Sequence, residues 1–393
     1  MEIRAIHAEE TEEMLSVLCE AFALPLDAAR PIFYADPFFD LSHKRLLRAG
    51  SDEIASCLTV IPSCLRVGAA WVPLGGIAGV ATRPKLRDQG YASNLLAATV
   101  GALADELHYP VSGLFAHSEG MYRQLGWELT SYACRRSVPI APLSPMSHQA
   151  HAATENDWER IHALHASRAG EHTGGCLRDE RRWRIIEAAG SRECTVLKTP
   201  DGCDVIGYVF WERHEDVLHI LELCAATQRV GEELLGFLRD HQSGADRLEW
   251  SVSASQWNAC GFSQFAGTSV SEPGLMLRLT DLRAAFTHLH GPNLAPILAA
   301  TNSSLTLRAA DPLRADNNCP WRLTPHGVTP GQATDMNWIA GDIRAFASIY
   351  LGSHTPSEHH ALGDLTASSS TALALADRLF PLRDPFISPL DQF

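Results

Sequence analysis

The sequence has no run of about 18 uninterrupted apolar residues, so nothing in it reads as a membrane-spanning helix. It has no C-x-x-C pair. Its ten cysteines are scattered from Cys19 to Cys319, a pattern that argues against a disulfide frame or zinc site and for reduced, mostly buried thiols. It is short of positive charge, with 32 Lys and Arg against 46 Asp and Glu and a formal net charge of −14. A nucleic-acid scaffold needs a basic face, whereas cationic substrates suit this balance. The start, "MEIRAIHAEETEEM", has neither the basic opening nor the apolar core of a secretion signal. These absences predict a cytoplasmic globular protein with no membrane and no nucleic-acid partner.

What is present is an ordinary soluble composition, 46% hydrophobic and 20% charged over 393 residues, long enough for two or three domains with separate cores. A strand "IRAI" precedes a helix over 10–23, where Met14, Leu15, Leu18 and Phe22 fall at helical spacing. The runs "IASCLTVI" (54–61), "CLRVG" (64–68) and "WVPLGGIAGVA" (71–81) predict a three-strand meander. "YPVSGLFA" (109–116) is a buried strand, and "YRQLGWEL" leads into "TSYACRRSVPI" as a further strand pair. Residues 141–153, "APLSPMSHQAHAA", have prolines, serines and no periodicity, and read as a linker. The stretch 154–280 restarts the same order: helices, then strands "CTVLKT", "VIGYVFWER" and "VLHILELCA", then a turn and helix "ATQRVGEELLGFLRDH". Residues 228–231 there answer to 87–90 in the first unit, which suggests two copies of one domain, the second degenerate. A third domain, 281–393, alternates short strands and amphipathic helices. It ends "PLRDPFISPLDQF", too apolar for a frayed tail, so the chain end is expected to be docked.

The most informative stretch is "IAGVATRPKLRDQGYASNLLAATV", residues 77–100: a strand, a basic turn with one glycine, and a helix. Backbone N–H groups at such a turn point into one concavity at a helix N-terminus, which favours phosphate. Gly90 allows close backbone approach, Ala92 keeps the helix start uncrowded, and Arg83, Lys85 and Arg87 add positive charge. The pattern R-x-x-G-x-A alone also fits a solvated basic turn. With the strand before it, the helix after it, the strand at 109–116 and Tyr122 in "HSEGMYRQLGW", it resembles the GCN5-related N-acetyltransferase (GNAT) family.

Over essentially the whole chain, the arrangement is similar to the enhanced intracellular survival (Eis) family of bacterial acetyltransferases. The implied fold is α/β (α+β), with tandem GNAT domains at 1–140 and 154–280, the second degenerate, and a sterol-carrier-protein-like domain at 281–393. The resemblance implies that Val80 and Thr82 offer strand backbone to the pantetheine of acetyl-CoA, and that Arg87, Asp88, Gln89, Gly90, Tyr91 and Ala92 hold its pyrophosphate. It implies Tyr122 as general acid and the carboxylate of Phe393 as base, with either His117 or Ser118 lining the site. It also implies direct ternary-complex transfer of an acetyl group to a primary amine on an aminoglycoside, polyamine or lysine side chain. Acetyl-CoA is then the co-substrate, no metal is needed, and a homo-oligomer, trimer or hexamer, is expected.

Other readings remain open at this stage. "AHSEG" (116–120) is a variant nucleophile elbow, which would make Ser118 a hydrolase nucleophile. The third domain could carry an apolar ligand or serve assembly, with the acetyltransferase domains as remnants. Asp27, Asp36 and Asp40 could attract a cation or cap loops. "HEDVLH" (214–219) has one residue too many for a zinc-protease helix, and the histidines form no ligand set, so no metal is predicted.

Overall fold

The computed structural model describes residues 1–50, 53–141, 150–189, 192–241, 244–253, 257 and 267–393. The chain forms two compact units, one of Met1–Thr130, Leu275–Arg383 and Phe393, the other of Ser131–Gly274 and Asp384–Gln392. Among the described residues, no helix is long and apolar enough to cross a membrane.

The first unit holds a seven-stranded sheet in the order Glu2–Ala5, Lys44–Arg48, Ile54–Val67, Ala70–Thr82, Val111–Leu114, Met276–Leu279, Glu128–Leu129. Alternation along the strands feeds two cores, one on each face. Leu46, Cys57 and Ala81 pack with Met14 and Val17 of the helix Thr11–Phe22. Leu47, Leu58, Val60 and Ile77 pack with Leu95, Leu96, Val100 and Leu103 of the helix Tyr91–Asp105. Each buried Leu, Ile, Val or Met side chain among these is worth about 1.5–3 kcal/mol.

The expected runs 54–61 and 64–68 merge into the single strand Ile54–Val67, which pairs with Ala70–Thr82 as a long hairpin. Pro62 is tolerated because, among the described residues, its strand has no second neighbour beyond Thr59, where the pairing with Lys44–Arg48 stops. The expected pair of "YRQLGWEL" with "TSYACRRSVPI" does not form. Thr130 and Ser131 offer no hairpin turn chemistry, and the Thr130 N–H instead donates to Leu275 O at 2.9 Å. Glu128–Leu129 therefore pairs with Met276–Leu279, while Tyr132–Pro139 enters the sheet of the second unit. Two strands thus cross the sequence boundaries at 140 and 280.

The same unit contains a five-stranded sheet, Gly327–Pro330, Trp321–Thr324, Leu305–Ala310, Trp338–Asp342, Leu365–Ala367. Its helices Leu282–Leu289, Ile343–Leu351 and Ser370–Leu379 begin at Asp281, Asp342 and Ser369, whose side chains accept from Ala284, Arg344 and Ala372 N–H. Phe286 packs edge to face against Tyr350 and Phe380. This sheet is tied to the first by a fully buried ion pair in which Arg278 Nη2 reaches both Asp311 oxygens at 2.8 and 2.9 Å.

The second unit has one seven-stranded sheet: Thr268–Pro273, Tyr132–Pro139, Arg247–Val252, Val217–Ala225, Val205–His214, Glu193–Lys198, Ala150–Ala152. The helices Trp158–Arg168, Glu180–Ala188 and Gln228–His241 belong to it. The expected linker lies mostly outside the described residues, at 142–149, and Ala150–Ala152 is a strand.

Candidate active site

Ala70–Thr82 runs parallel to Val111–Leu114, but the two pair only from Leu74 to Gly76. Past Gly76 they part. Gly79 has φ +58° and sits in a bulge opposite Leu58, where the pairing slips between Cys57 and Thr59. The stretch 78–80 is consequently part-exposed in the middle of a sheet, with Val80 at its end. Thr82, two residues on, holds its hydroxyl 3.0 Å from Ser56 Oγ.

The chain then turns into the helix Tyr91–Asp105. Asp88 and Gly90 take left-handed φ angles of +61° and +77°. A side chain at Gly90 would meet nothing closer than Asn94 Nδ2 at 4.0 Å, so the glycine serves the backbone angle and the open approach rather than packing. The backbone N–H groups of Asp88, Gln89, Gly90, Tyr91 and Ala92 have no acceptor among the described residues, while Asn94 N–H already closes on Gly90 O. Five free donors around two left-handed residues make an anion cradle.

The three basic residues of the turn are unequal. Arg83 is buried, ion-paired to Glu20, 3.8 Å from Glu13 and 3.7 Å from Glu53, and donates to Ile54 O at 2.9 Å. Lys85 pairs with Glu53 at 2.9 Å. Arg87 is exposed and donates to Ala21 O at 2.9 Å, with no carboxylate partner among the described residues. Its charge is the one left for a ligand.

Phe393 lies where the strands begin to part. A Cβ at Gly76 would fall 2.5 Å from its ring, and the ring stands edge to face with Phe115, centroids 5.3 Å apart. Neither Gly76 nor Phe115 was singled out in the sequence, although the glycine pair in "LGGIAG" was the available sign of a seat on a strand. Tyr122 is on the short helix Gly120–Gln124, edge to face with Trp127 at 6.4 Å. Burial raises its phenol above the ordinary value.

Other candidates resolve into local roles. Asp40 caps Ser42 N–H and its hydroxyl at 2.8 and 2.7 Å, Asp36 accepts from Phe38 N–H at 2.9 Å, and Asp27 faces Arg30 at 3.2 Å. His117 and Ser118 are exposed. His214 and His219 stand on adjacent antiparallel strands with ring centroids 5.1 Å apart, each beside a glutamate. Residues 228–231 do not form a second cradle. Thr227 Oγ1 accepts from Val230 N–H at 3.3 Å, so the helix starts at once and those residues are its first turn.

Comparison with known proteins identifies the domains. Residues 2–130 and 174–279 match models of the acetyltransferase (GNAT) domain, and residues 293–388 match the sterol carrier protein domain. No curated protein matches the chain. Among solved structures, a GCN5-related N-acetyltransferase from Anabaena variabilis is similar at 21% identity and TM-score 0.82, with all of both chains covered. One from Kribbella flavida has 19% identity and TM-score 0.83, covering 100% of this chain and 98% of that one. Eis1 from Mycobacterium abscessus has 20% identity and TM-score 0.76, with both chains covered fully. The fold is therefore mixed α/β with two GNAT domains and a sterol-carrier-like domain, and by domain content the chain is an acyltransferase.

Proposed function

We propose that the first unit transfers the acetyl group of acetyl-CoA to a primary amine on a cationic acceptor: an aminoglycoside, a polyamine or a lysine side chain. The observation that carries this reading is the parting of Ala70–Thr82 from Val111–Leu114 directly before a turn with five free N–H donors. A pantetheine arm fits against the backbone of Val80 and Thr82, with the pyrophosphate on residues 88–92 and Arg87 as counter-charge.

Direct transfer in a ternary complex requires a neutral amine. It attacks the thioester carbonyl, a tetrahedral intermediate forms, and the C–S bond breaks as the thiolate takes a proton. The Tyr122 phenol supplies that proton. The Phe393 carboxylate takes the proton of the amine directly or through water. With a reference pKa near ~3.5 for such a group, it also acts by attracting and orienting the cation. Domain resemblance supports a cytoplasmic homo-oligomer, and the formal charge of −14 suits a cationic acceptor.

The test is release of CoA thiol from acetyl-CoA over a panel of aminoglycosides, polyamines and lysine peptides. Release that depends on one amine class is expected, with intersecting double-reciprocal plots. Absence of both release and acetyl-CoA binding would sink the reading, and parallel plots would replace the ternary complex with an acyl-enzyme.

A further inference from the structure

The second unit contains a cavity of about 430 Å³, within the size range of small-molecule sites. Its origin is again two parallel strands that part. Val217–Ala225 pairs with Arg247–Val252 only as far as Ile220 and Trp250, then continues alone on that side. Residues 221–225 belong to the middle strand of the sheet, yet all five are part-exposed and all line the cavity. Among the described residues, this stretch has a strand partner on one side only, Val205–His214. The one further hydrogen bond to its backbone among the described residues is Arg168 Nη2 donating to Ala225 O at 2.9 Å. A row of backbone donors and acceptors facing a cavity is recognised by another amide chain.

The charges around the cavity are already matched. The buried Arg178 donates to Glu222 at 2.8 and 2.5 Å and to Asp391 at 2.7 and 2.9 Å, and Arg182 lies close enough to feel the Asp391 charge. Arg168 pairs with Glu171 at 2.9 Å. His165 lies 3.2 Å from Tyr208 Oη and 3.1 Å from Cys176 O. His172 lines the cavity, its ring without a hydrogen-bond partner among the described residues, and burial lowers the pKa of both imidazoles, favouring their neutral forms. The turn that follows the strand is only Ala226 and Thr227, so the loop that would cradle a phosphate in the first unit has no counterpart. Leu223, Trp250, Val252 and Phe386 supply an apolar wall.

We propose that this cavity is a second ligand site, selective for an uncharged, extended amide whose N–H and C=O groups pair with the free edge of residues 221–225 and whose apolar end lies against Trp250 and Phe386. A nucleotide-bearing molecule finds neither cradle nor counter-charge there. The site is separate from the acetyl-transfer reading and does not depend on it.

The probe is N-pentylpantothenamide, an uncharged diamide with an alkyl end, titrated calorimetrically into the full chain with and without excess desulfo-CoA. One equivalent is expected to bind per chain in the presence of desulfo-CoA, with Kd below about 1 mM. Pantothenate, its carboxylate analogue, is expected to bind at least ~10-fold more weakly, because a charge there goes unmatched. Ala225→Phe fills the cavity and should weaken the probe by ~10-fold or more. Ala226→Trp does the same from the turn if the first variant does not fold, as judged by its melting temperature. Absence of probe binding with desulfo-CoA present, or equal binding by wild type and a folded cavity-filled variant, would overturn the site. Equal binding of pantothenate would overturn its preference for uncharged ligands.

Discussion

Gly76→Ala places a methyl group where the ring of Phe393 now rests. The new Cβ would lie 2.5 Å from two ring atoms and 2.7 Å from a third. Carbon–carbon contacts settle near 3.5–4.0 Å, so the ring must retreat by about 1 Å. The strand cannot yield in its place, because Gly76 is paired on both sides, with Ile61 and Gly113. Overpacking of this kind costs about 1–3 kcal/mol, partly offset by the roughly 0.5–1 kcal/mol gained when alanine replaces glycine in a strand. The net cost, about 0–2.5 kcal/mol, lowers the melting temperature by several degrees and leaves the unit folded. The effect on reaction should be larger, since a shift of about 1 Å in an acting group can cost about 100-fold in rate. Initial rates of CoA release should therefore show kcat reduced by about 10–100-fold, with KM for acetyl-CoA within about 2-fold of wild type. Gly90→Ala is the contrast. Its side chain has space, but φ +77° is strained by about 1 kcal/mol for alanine, so KM for acetyl-CoA should rise more than kcat falls. Wild-type kcat in a folded Gly76→Ala enzyme would refute the role given to the chain end.

Tyr122→Phe should reduce kcat by about 10²–10⁴-fold and leave acetyl-CoA binding unchanged by calorimetry; an unaltered rate removes Tyr122 as the acid. Because burial raises the phenol, its proton stays on to higher pH than the ordinary value near ~10, so an alkaline fall in rate due to Tyr122 should begin above that value. A fall that begins below it, and persists in Tyr122→Phe, belongs to another group. Asp311→Asn leaves the fully buried Arg278 charge without its partner and should cost about 3–5 kcal/mol in urea unfolding. The double variant Arg278→Met with Asp311→Asn should recover most of that loss, because the asparagine oxygen can still accept from Leu313 N–H, which Asp311 now does at 2.9 Å; failure to do so would mean that the hydrogen bonds of the carboxylate, among them that from Asn317 Nδ2 at 2.8 Å, rather than its pairing with Arg278, are what Asp311 provides.

The order of elements in each GNAT domain could be read from the sequence because hydrophobic periodicity is local: Met14 and Leu18, or Leu95 and Leu96, declare a helix face without outside help. The turn at 87–92 could be read because glycine and a helix start within a few residues leave few backbone solutions. Sheet membership could not. Met276–Leu279 and Tyr132–Pro139 are ordinary strands in isolation, and only pairing across more than a hundred residues decides which sheet each enters. Charge counting also overstated the cradle. Arg83 and Lys85 look free in a basic run, but Glu13, Glu20 and Glu53, distant in sequence, pair with Arg83, and Glu53 also holds Lys85.

The two units separate two properties that one motif seems to join. Strand parting depends on where parallel pairing stops: Gly76 against Gly113 in the first unit, Ile220 against Trp250 in the second. It survives in both, because it is carried by a whole sheet and its packed helices rather than by any one residue. The anion cradle depends on the residues between strand and helix, and there the units differ. The first spends residues 83–90 on two left-handed angles and free N–H groups; the second passes through Ala226 and Thr227 straight into a capped helix. Loss of the cradle removes affinity for phosphate without closing the space between the strands. An acetyltransferase domain on this plan without the cradle therefore keeps an open strand edge, and with Glu222 and Asp391 already engaged by Arg178 beside it, that edge suits the uncharged amide proposed above rather than a phosphate.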